Sequence, residues 1–498
     1  MELLTTVNEY LWSPLVFFVL GFGLYLTVKT GCLQIRGLPE MLRLITQRQS
    51  GEEGISSFQA LALTLSSRVG VGSIAGVATA IAAGGPGALF WMATMAMLGG
   101  ATAYVESTLA QIYKSKVNGV YSGGIPYYIE RGLGLKSLAC LAAFAAMCLY
   151  ALFAPGIQSN NIGLGFKSAF GIPPVYTGSI LVCLLAFIIF GRRARLIHFV
   201  EYMVPFMAGA YILMAVGIVI ANFDRLPGAL HLILSSAFGF NAVYGGIVGS
   251  AITWGVRRAL FANVAGVGEG TFGSAAADVS HPVKQGLVQC FSIYIDTLFV
   301  CMATGIMIVI TGQYNVMGDS GAPLTVHLPG IEAGPAFAQA AVNSVFHGFG
   351  APFVATSIAS FAFTTLIAFY YIAETNLSYL LGGRRKWAVF VLRVVTCVTV
   401  LHGAIEPSAL IWAIGDFGYA SLAWINMFCL VLLAKPALLS LKDFYVQKQA
   451  GLDPVFDPVK LGIPNTVCWT HGTDDDALAP PTLLAEPLPV RVGTTTSS

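Results

Sequence analysis

A glycine- and serine-rich segment, residues 66–77, interrupts an apolar stretch that is long enough to cross a lipid bilayer. Gly70, Gly72 and Gly76 fall near its middle, where glycine lets the backbone leave helical geometry and lets a ligand approach it. Inside a membrane, an unwound backbone persists only where protein, water or a ligand satisfies its polar groups. Close helix packing through small residues is the alternative, but the adjacent serine hydroxyls favour a binding site for a small polar solute.

A second glycine cluster contains Gly266, Gly268 and Gly270 and follows a later apolar stretch. Residues 242–282 make one membrane crossing, yet they are about twice as many as a straight helix needs at ~1.5 Å per residue. We therefore predict either a broken helix or a short helix followed by an interfacial one. Glu269 lies inside this cluster, either as a proton-coupling carboxylate or as a group at the cytoplasmic interface.

The composition indicates that these two segments belong to an all-α polytopic membrane protein. Hydrophobic residues are 56% of the 498 residues and charged residues only 10%, against about 25% in an average soluble domain. So few charges cannot coat a soluble body, and a net charge of +2 gives no reason to expect a nucleic-acid partner. We predict eleven spans of the lipid bilayer, near residues 12–30, 59–84, 87–113, 135–155, 174–191, 198–221, 242–265, 288–311, 353–378, 387–404 and 407–434.

The basic residues predict the orientation of the spans, because cytoplasmic loops carry an excess of lysine and arginine. Of the 26 basic residues, only Lys167 and Arg225 fall in outer loops if the N-terminus lies outside. Four fall at membrane depth: Arg68, Arg257, Arg258 and Arg393. We therefore expect an outer N-terminus, a cytoplasmic C-terminus and a location in the cell (inner) membrane. Residues 1–434 would form the membrane domain, and residues 435–498 a cytoplasmic, largely disordered tail.

The two glycine clusters occupy matching positions in two halves of the chain. Spans two to six (residues 58–221) and spans seven to eleven (residues 242–434) form two sets of five with opposite topology. Broken helices at matching positions of an inverted pair point to the central site of a secondary transporter. The N-termini of half-helices suit a carboxylate, and the freed backbone carbonyls suit Na⁺.

Several short motifs between about residues 58 and 430 resemble those of a known family. They are Phe58-x-Ala60-Leu61, Val69-Gly70-x-Gly72-x-Ile74-Ala75-Gly76-Val77, Gly84-Gly85-Pro86-Gly87-Ala88-x-Phe90-Trp91-Met92, Gly123-Gly124-Ile125-Pro126-Tyr127-Tyr128, Arg258-x-x-Phe261-x-Asn263-x-Ala265-Gly266, Ser280-His281-Pro282-Val283-Lys284-Gln285-Gly286-Leu287, Asp296-Thr297 and the run 361–374. Together they resemble the alanine/glycine:cation symporter family, also called the sodium:alanine symporters.

This resemblance implies a fold and a function. The family's fold is a leucine-transporter-type inverted five-plus-five helix repeat with one extra N-terminal helix, which agrees with the eleven predicted spans. The implied function is symport of a small neutral amino acid, such as alanine or glycine. The coupling ion is Na⁺, or H⁺ in some members.

The resemblance also implies where an amino acid would bind, since the family uses helices two, four, seven and nine. The backbone N–H groups around Gly70, Gly72 and Ser73 would receive the carboxylate, with the Ser73 hydroxyl as a further donor. Gln158, at the outer end of helix four, would accept from the ammonium group or would merely cap its helix. Three positions match site residues of the family: Phe261, Asn263 and Thr365. Phe369, one helical turn after Thr365, would form the wall of the pocket that faces the substrate's side chain.

For Na⁺, the resemblance implies oxygen ligands from the break in helix two and from helix nine. These ligands would be the carbonyls of Val69 and Gly70 and the hydroxyls of Thr364 and Thr365. The alternative for the two threonines is that each hydroxyl bonds back to its own helical turn.

Four positions at or near the implied site depart from the family pattern: Val71 stands for Thr, Ser73 for Asn, Val264 for Glu and Phe369 for Trp. The smaller side chains at Ser73 and Phe369 indicate a roomier pocket, a different small amino acid or altered coupling. A proton-coupled transporter, or one specific for serine or glutamine, is therefore the alternative to Na⁺-coupled uptake of alanine or glycine.

Five charged residues of the predicted spans lie about 6–14 Å from the cytoplasmic face, counted at ~1.5 Å per residue. They are Arg68, Glu106, Asp296, Glu374 and Arg393. A lone charge at this depth costs at least a few kcal/mol, so each needs a partner. One hypothesis is an inner gate that breaks when the site opens inward, and the alternative is a set of permanent ion pairs between helices.

Two other classes of protein fit the sequence less well. An ion channel usually shows a pore-loop repeat, whereas this chain shows two inverted halves. An enzyme is not expected, because the sequence contains no HExxH or GxSxG motif and its nine cysteines show no paired metal-binding spacing. We therefore expect no cofactor besides the coupling ion.

Overall fold

The computed structural model describes residues 2–46, 54–117, 119–191, 193–318, 321–383 and 385–469. Residues 470–498, which belong to the predicted tail, lie outside the described residues. Within the described ranges the protein is almost entirely helical, with two short two-stranded sheets.

The first half of the chain forms helices α1 to α11. In chain order they are α1 (Glu2–Lys29), α2 (Leu33–Arg36), α3 (Leu38–Thr46), α4 (Ser57–Arg68), α5 (Ala75–Gly84), α6 (Ala88–Ile112), α7 (Ile125–Leu133), α8 (Lys136–Cys148), α9 (Ala154–Phe170), α10 (Pro174–Ile189) and α11 (Arg193–Ala221). Between α6 and α7, β1 (Ser115–Val117) pairs antiparallel with β2 (Val120–Ser122).

The second half forms helices α12 to α20. They are α12 (Leu226–Ala237), α13 (Val248–Asn263), α14 (Gly270–Ala276), α15 (Pro282–Ile293), α16 (Met302–Thr311), α17 (Pro335–Val345), α18 (Gly350–Leu380), α19 (Lys386–Ile405) and α20 (Ser408–Gln449). Between α16 and α17, β3 (Asn315–Met317) pairs antiparallel with β4 (Pro323–Val326). Short 3₁₀ turns cover Val71–Ser73, Phe223–Arg225 and Gly245–Ile247.

Eight helices in the described part of the chain are long and apolar enough to cross a membrane, so the protein is a multi-pass membrane protein. Two of the eight are helix pairs joined end to end by a π-helical segment, α8–α9 through Leu149–Phe153 and α15–α16 through Tyr294–Cys301. Pro155 accounts for the first segment, because a proline ring displaces the carbonyl four residues earlier and removes one helical N–H.

Both predicted breaks are present in the structure. α4 ends at Arg68, and a 3₁₀ turn leads from there into α5. α13 ends at Asn263, and a loop in which Gly266 and Gly268 both have φ of +89° leads into α14. Both breaks lie inside the bundle, because α4 packs against α11, α14 and α18 while α13 packs against α5 and α6.

The start of α4 is fixed in two ways at one end of the bundle. Ser56 and Gln59 form a capping box, in which the Ser56 hydroxyl accepts from the Gln59 N–H and Gln59 accepts from the Ser56 N–H. The Ile55 N–H donates to the Ala276 carbonyl at 3.1 Å, and the Asp278 N–H donates to the Ile55 carbonyl at 3.1 Å. Two backbone hydrogen bonds therefore join the start of α4 to the end of α14.

The last described residues also pack at this end of the bundle. α20 continues through residues 435–449, which the sequence analysis assigned to the tail. Beyond it, the Lys284 ammonium group lies 2.8 Å from the Asp453 carboxylate and the Phe456 N–H donates to the Ser280 carbonyl at 3.0 Å. The Trp469 indole N–H donates to the Gln111 carbonyl at 2.9 Å. Residues 450–469 thus form a strap across the ends of α6, α14 and α15.

His281 holds the strap to the bundle. Its ring is fully buried and packs edge-on against Phe444 and Phe456. Burial lowers the pKa of His281 to about 4, although the Asp443 carboxylate 3.6 Å away acts in the opposite direction. The imidazole is therefore neutral near pH 7, and its Nδ1 accepts from the Val283 N–H at 3.2 Å.

Candidate functional site

The first break needs glycine at two of its three glycine positions. A Cβ on Gly70 would lie 2.6 Å from the Thr365 hydroxyl and 3.2 Å from Gln158 Oε1. A Cβ on Gly72 would lie 3.0 Å from the Phe261 ring. Gly76 lies within α5, and a Cβ there would have no neighbour within 4 Å. Because α9, α13 and α18 approach the unwound backbone closely, residues 70 and 72 have room only for glycine.

Gln158 faces this break rather than the end of its own helix. Since α9 continues to Phe170, Gln158 lies well inside the helix and is only 2% exposed. Its side-chain carbonyl accepts from the Val71 N–H at 3.2 Å. Gln158 thus satisfies one of the backbone donors that the missing helical turn leaves free.

Three oxygen atoms meet where α18 passes the first break. The Thr365 hydroxyl lies 2.9 Å from the Ser66 carbonyl and 2.9 Å from the Phe361 carbonyl. The Thr364 hydroxyl donates to the same Phe361 carbonyl at 2.9 Å, but its other neighbour is the Met207 sulfur at 3.8 Å instead of the Ser66 carbonyl. Of the two threonines predicted to hold Na⁺, the structure places Thr365 at the break, and it adds the Ser66 carbonyl, which the sequence analysis did not name.

The second break is held by polar side chains from three directions. Asn263 accepts from the Ala265 N–H at 3.1 Å, and Glu106 accepts from the Gly266 N–H at 3.2 Å. Asn426 donates to the Gly266 carbonyl at 2.9 Å and to Glu106 at 3.2 Å. Between them Val264 has φ of +49°, a left-handed conformation that is unusual for a β-branched residue. The surrounding contacts hold this strained backbone in place.

A chain of hydrogen bonds connects the two breaks. The Ser73 hydroxyl donates to one Asp296 oxygen at 2.7 Å, and the Thr297 hydroxyl donates to the other at 2.8 Å. Asn263 then donates to the Thr297 hydroxyl at 3.2 Å. Asp296, which the sequence analysis assigned to an inner gate, lies in the π-helical segment between α15 and α16 and links both unwound backbones.

Replacing Ser73 with alanine tests this link. We expect lower thermal stability and slower uptake, because Asp296 loses one of its donors and an unsatisfied buried acceptor costs about 1–3 kcal/mol. Thermal unfolding of the purified protein and initial uptake rates in liposomes measure the two effects. Ser159→Ala is the matched control, since the buried Ser159 hydroxyl donates to the Gly156 carbonyl of its own turn. Equal losses in the two variants would contradict a special role for Ser73.

Aromatic rings line one side of the region between the breaks. Phe369 lies 5.2 Å from Tyr150, and Phe261 lies 4.8 Å from Tyr419 and 4.9 Å from Trp412, measured between ring centroids. The ring centroids of Tyr150 and Tyr419 are 6.4 Å apart, so the two pairs of contacts form one row of rings. Phe261 and Phe369 were predicted from the sequence as site residues, whereas Tyr150, Trp412 and Tyr419 were not. Aromatic residues are common in apolar helices, and the spacing of these three along the chain does not indicate a binding site.

The five residues of the predicted inner gate fall into two separate groups. Arg68, Glu106 and Asp296 share one electrostatic cluster, and the Arg68 guanidinium donates to the Gln289 carbonyl at 3.2 Å and to the Ser292 hydroxyl. Arg393 donates to the Tyr370 hydroxyl at 2.9 Å, and Glu374 approaches the same hydroxyl. The second group lies between α18 and α19, away from the breaks.

A further charged cluster lies beyond Phe261, between α1, α13 and α20. Asp416 accepts from Arg257 at 2.6 Å and from Arg258 at 3.2 Å, and all three residues are buried. The Trp412 ring lies 4.4 Å from the Arg258 guanidinium. These residues line a cavity of about 290 Å³. The sequence analysis placed both arginines at membrane depth but did not find their shared partner, 158 residues further along the chain.

Apolar membrane helices arranged around two broken helices, whose unwound backbones are held by polar side chains, define a secondary membrane transporter. The profile of the sodium:alanine symporter family matches residues 1–458 of the chain. The protein belongs to this family of symporters, which confirms the resemblance drawn from its motifs.

Three relatives show how close this relationship is. The chain is 52% identical over 470 residues to YrbD of Bacillus subtilis (strain 168), covering 94% of this chain and 97% of that protein. It is 46% identical over 434 residues to the sodium/proton-dependent alanine carrier protein of Bacillus sp. (strain PS3), covering 87% and 97%. It is 35% identical over 456 residues to the sodium/alanine symporter AgcS of Methanococcus maripaludis, covering 89% and 97%.

Proposed function

We propose that the protein is a symporter that couples inward movement of Na⁺ to uptake of alanine or a close relative by alternating access. The observation that carries this proposal is the pair of broken helices whose unwound backbones are joined through Ser73, Asp296, Thr297 and Asn263. The relative from Bacillus sp. is named a sodium/proton-dependent alanine carrier protein, and the one from Methanococcus maripaludis a sodium/alanine symporter. Both names support alanine as the substrate and Na⁺ as a coupling ion.

The amino acid would bind between the two breaks. Its carboxylate would be received by the backbone N–H groups around Gly70, Gly72 and Ser73, and its small side chain would face the aromatic row that contains Phe369. Because the Ser73 hydroxyl donates to Asp296 at 2.7 Å and Gln158 accepts from the Val71 N–H at 3.2 Å, both side chains would act chiefly by shaping the break. Ser73 and Phe369 leave room for serine or glutamine as competing substrates.

Na⁺ would bind where α18 meets the first break. The Thr365 hydroxyl and the carbonyls of Ser66 and Phe361 supply oxygen, the ligand type that a hard cation prefers. The carbonyls of Val69 and Gly70 would complete the shell. One Na⁺ moving inward gains about 2.3 kcal/mol per 100 mV, which exceeds the ~1.4 kcal/mol needed for each tenfold accumulation of a neutral solute.

The eight long helices, α10 and the two broken helices would make eleven spans, arranged as a leucine-transporter-type five-plus-five repeat with α1 as the extra helix. The repeats would cover residues 58–221 and 242–434. The N-terminus would lie outside, and the strap and tail in the cytoplasm of the cell (inner) membrane. The end of the bundle where α4 begins would then face the cytoplasm, with Arg68, Glu106 and Asp296 behind it as part of the inner gate.

Transport in liposomes tests the proposal directly. The purified protein is reconstituted, a Na⁺ gradient or a proton gradient is imposed, and uptake of labelled alanine, glycine, serine and glutamine is followed. We expect concentrative alanine uptake that requires the inward Na⁺ gradient and is competed most strongly by small neutral amino acids. Uptake that ignores both gradients would contradict symport.

The two threonines of α18 allow the ion site to be tested separately from the substrate site. Thr365→Val removes the hydroxyl at the break, so we expect the Na⁺ concentration for half-maximal alanine uptake to rise about tenfold, equivalent to ~1.4 kcal/mol. Thr365→Ser retains the hydroxyl and should recover most of the Na⁺ affinity. Thr364→Val is the comparison variant, because both hydroxyls bond to the Phe361 carbonyl but that of Thr364 contacts Met207 and not the Ser66 carbonyl of the break. An equal Na⁺ requirement in the two valine variants would contradict this assignment.

A further inference from the structure

Glu269 is buried inside the helix bundle. It follows Gly268 at the start of α14, and only 2% of its surface is exposed. With Thr64, Ser67 and Tyr371 it lines a cavity of about 10 Å³ between α4, α14 and α18. A cavity of this size holds about one water molecule. A carboxylate buried to this extent needs a physical explanation.

The surroundings of Glu269 offer few hydrogen-bond donors to a negative charge. Neither carboxylate oxygen has a close hydrogen-bond partner among the residues that the structure describes. The hydroxyls of Ser67 and Tyr150 face it. The Ser67 hydroxyl donates its hydrogen to the Thr64 carbonyl at 2.9 Å and so presents only lone pairs to Glu269, which leaves Tyr150 as the hydroxyl of this pair that can donate. An ionised carboxylate with so few donors is costly to bury, whereas a protonated one would donate to Ser67.

Two neighbouring carboxylates differ from Glu269 in this respect. Asp296 accepts from two hydroxyls, and Glu106 accepts from a backbone N–H and a side-chain amide. All three carboxylates lie in the field of the single Arg68 guanidinium. One positive charge cannot balance three negative ones, and Glu269 is the acid with the fewest donors. Glu269 is therefore the carboxylate of this cluster that would bind a proton.

We propose that Glu269 is the proton-binding site of the transporter, taking up one proton in the outward-facing state and releasing it to the cytoplasm with each transported amino acid. This inference rests on the proposed symport function. The proton adds to one carboxylate oxygen and leaves from it unchanged, so the step needs no other reactant. The titratable and charged groups that face Glu269 are Arg68 from α4, Glu106 from α6, Tyr150 from the α8–α9 segment, Asp296 from the α15–α16 segment, Tyr371 from α18 and Tyr419 from α20.

The position of Glu269 explains how proton release would be coupled to movement. The cavity beside it is closed by α4 and α14, and the hydrogen bonds of Ile55 to Ala276 and Asp278 join these two half-helices. Displacement of the joined pair from α18 would open the cavity to the cytoplasm. The same displacement would separate Glu269 from Tyr371 and Ala368 of α18, so that water from the cytoplasm would reach the carboxyl group only in the inward-facing state.

The experiment compares wild-type protein with Glu269→Gln in liposomes that contain a pH-sensitive dye. In wild type, added alanine should acidify the interior, and an inward proton gradient should drive accumulation even with equal Na⁺ on both sides. In E269Q we expect both effects to be lost, with alanine counterflow and Na⁺-driven uptake retained. Glu332→Gln, an exposed loop carboxylate, is the matched control and should behave like wild type.

The other outcomes distinguish failure of the proton site from failure of the symport function. Wild-type alanine uptake without internal acidification would overturn the proton site while leaving Na⁺ symport intact, whereas no uptake under any gradient would overturn the symport function itself. Acidification by E269Q at the wild-type rate would also overturn the assignment. If E269Q does not fold, infrared spectroscopy of wild type decides between the outcomes. Glu269→Asp should then shift the band of a protonated carboxyl group, and absence of such a band in wild type would contradict the proposal.

Discussion

Alanine uptake should fall about 100-fold or more in Gly70→Ala, while the protein remains folded. The added Cβ would lie 2.6 Å from the Thr365 hydroxyl, closer than any normal contact, and 3.2 Å from Gln158 Oε1. Thr365 would have to move away from the Ser66 carbonyl, and the Val71 N–H would lose its alignment with Gln158. Displacements of about 1 Å at a binding site can cost on the order of 100-fold in rate. Initial uptake rates in liposomes measure the effect.

Gly76 in α5, the helix that follows the first break, provides the control for this prediction. Gly76→Ala introduces the same methyl group six residues later, inside α5, where it has no neighbour within 4 Å. Alanine also favours a helix over glycine by about 1 kcal/mol, so Gly76→Ala should retain uptake and unfold at the same or a higher temperature. If Gly76→Ala also abolishes transport, close approach at Gly70 is not the reason for the glycines. Normal uptake by Gly70→Ala would contradict the site itself.

Both breaks could be predicted from the sequence because their cause is local. Gly70 and Gly72 stand in an apolar stretch at membrane depth, and the second segment is too long for one straight crossing. These features act on the backbone of the residues that carry them. Thr365 was predicted beside the first break in a different way, because its position came from the family resemblance and not from a local feature of the sequence.

The partners of the buried polar groups could not be predicted, since each one comes from a distant part of the chain. Ser73 meets Asp296 across 223 residues, and Arg257 meets Asp416 across 159. Sequence spacing within one helix shows which face a residue occupies, but it does not show which other helix covers that face. The charged residues were therefore recognised as needing partners, but the hydrogen bonds by which Asp296 links the two breaks were not predicted.

Helix length explains two other differences between the predicted and observed elements. The fourth predicted span ended at residue 155, but the π-helical segment before Pro155 lets the helix continue to Phe170. Gln158 therefore lies within the continuous helix rather than at its end. Similarly, α20 continues through Pro436 to Gln449, so that the strap begins well beyond the predicted end of the last span.

Asp416→Asn should produce the largest loss of stability among single substitutions of buried charged residues. It leaves the guanidinium groups of Arg257 and Arg258 without a negative partner, and removing one member of a buried ion pair costs about 3–5 kcal/mol. Thermal unfolding in detergent, followed by tryptophan fluorescence, should show a marked fall in Tm relative to wild type. Arg257→Gln should be milder, because Arg258 and Asp416 still form a pair at 3.2 Å.

The double variant separates lost charge balance from lost packing. Combining Asp416→Asn with Arg257→Gln leaves one unpaired guanidinium instead of two, so the double variant should be more stable than Asp416→Asn alone. If the effects of the two substitutions simply add, uncompensated charge is not the reason for the loss. The outcome also bears on α1, because the Trp12 indole N–H donates to the Asp416 carbonyl at 3.1 Å and its ring lies 5.0 Å from the Arg257 guanidinium. Asp416 thereby joins α1 to α13 near the point where α13 leads into the second break, and weakening it should slow alanine uptake as well as destabilise the fold.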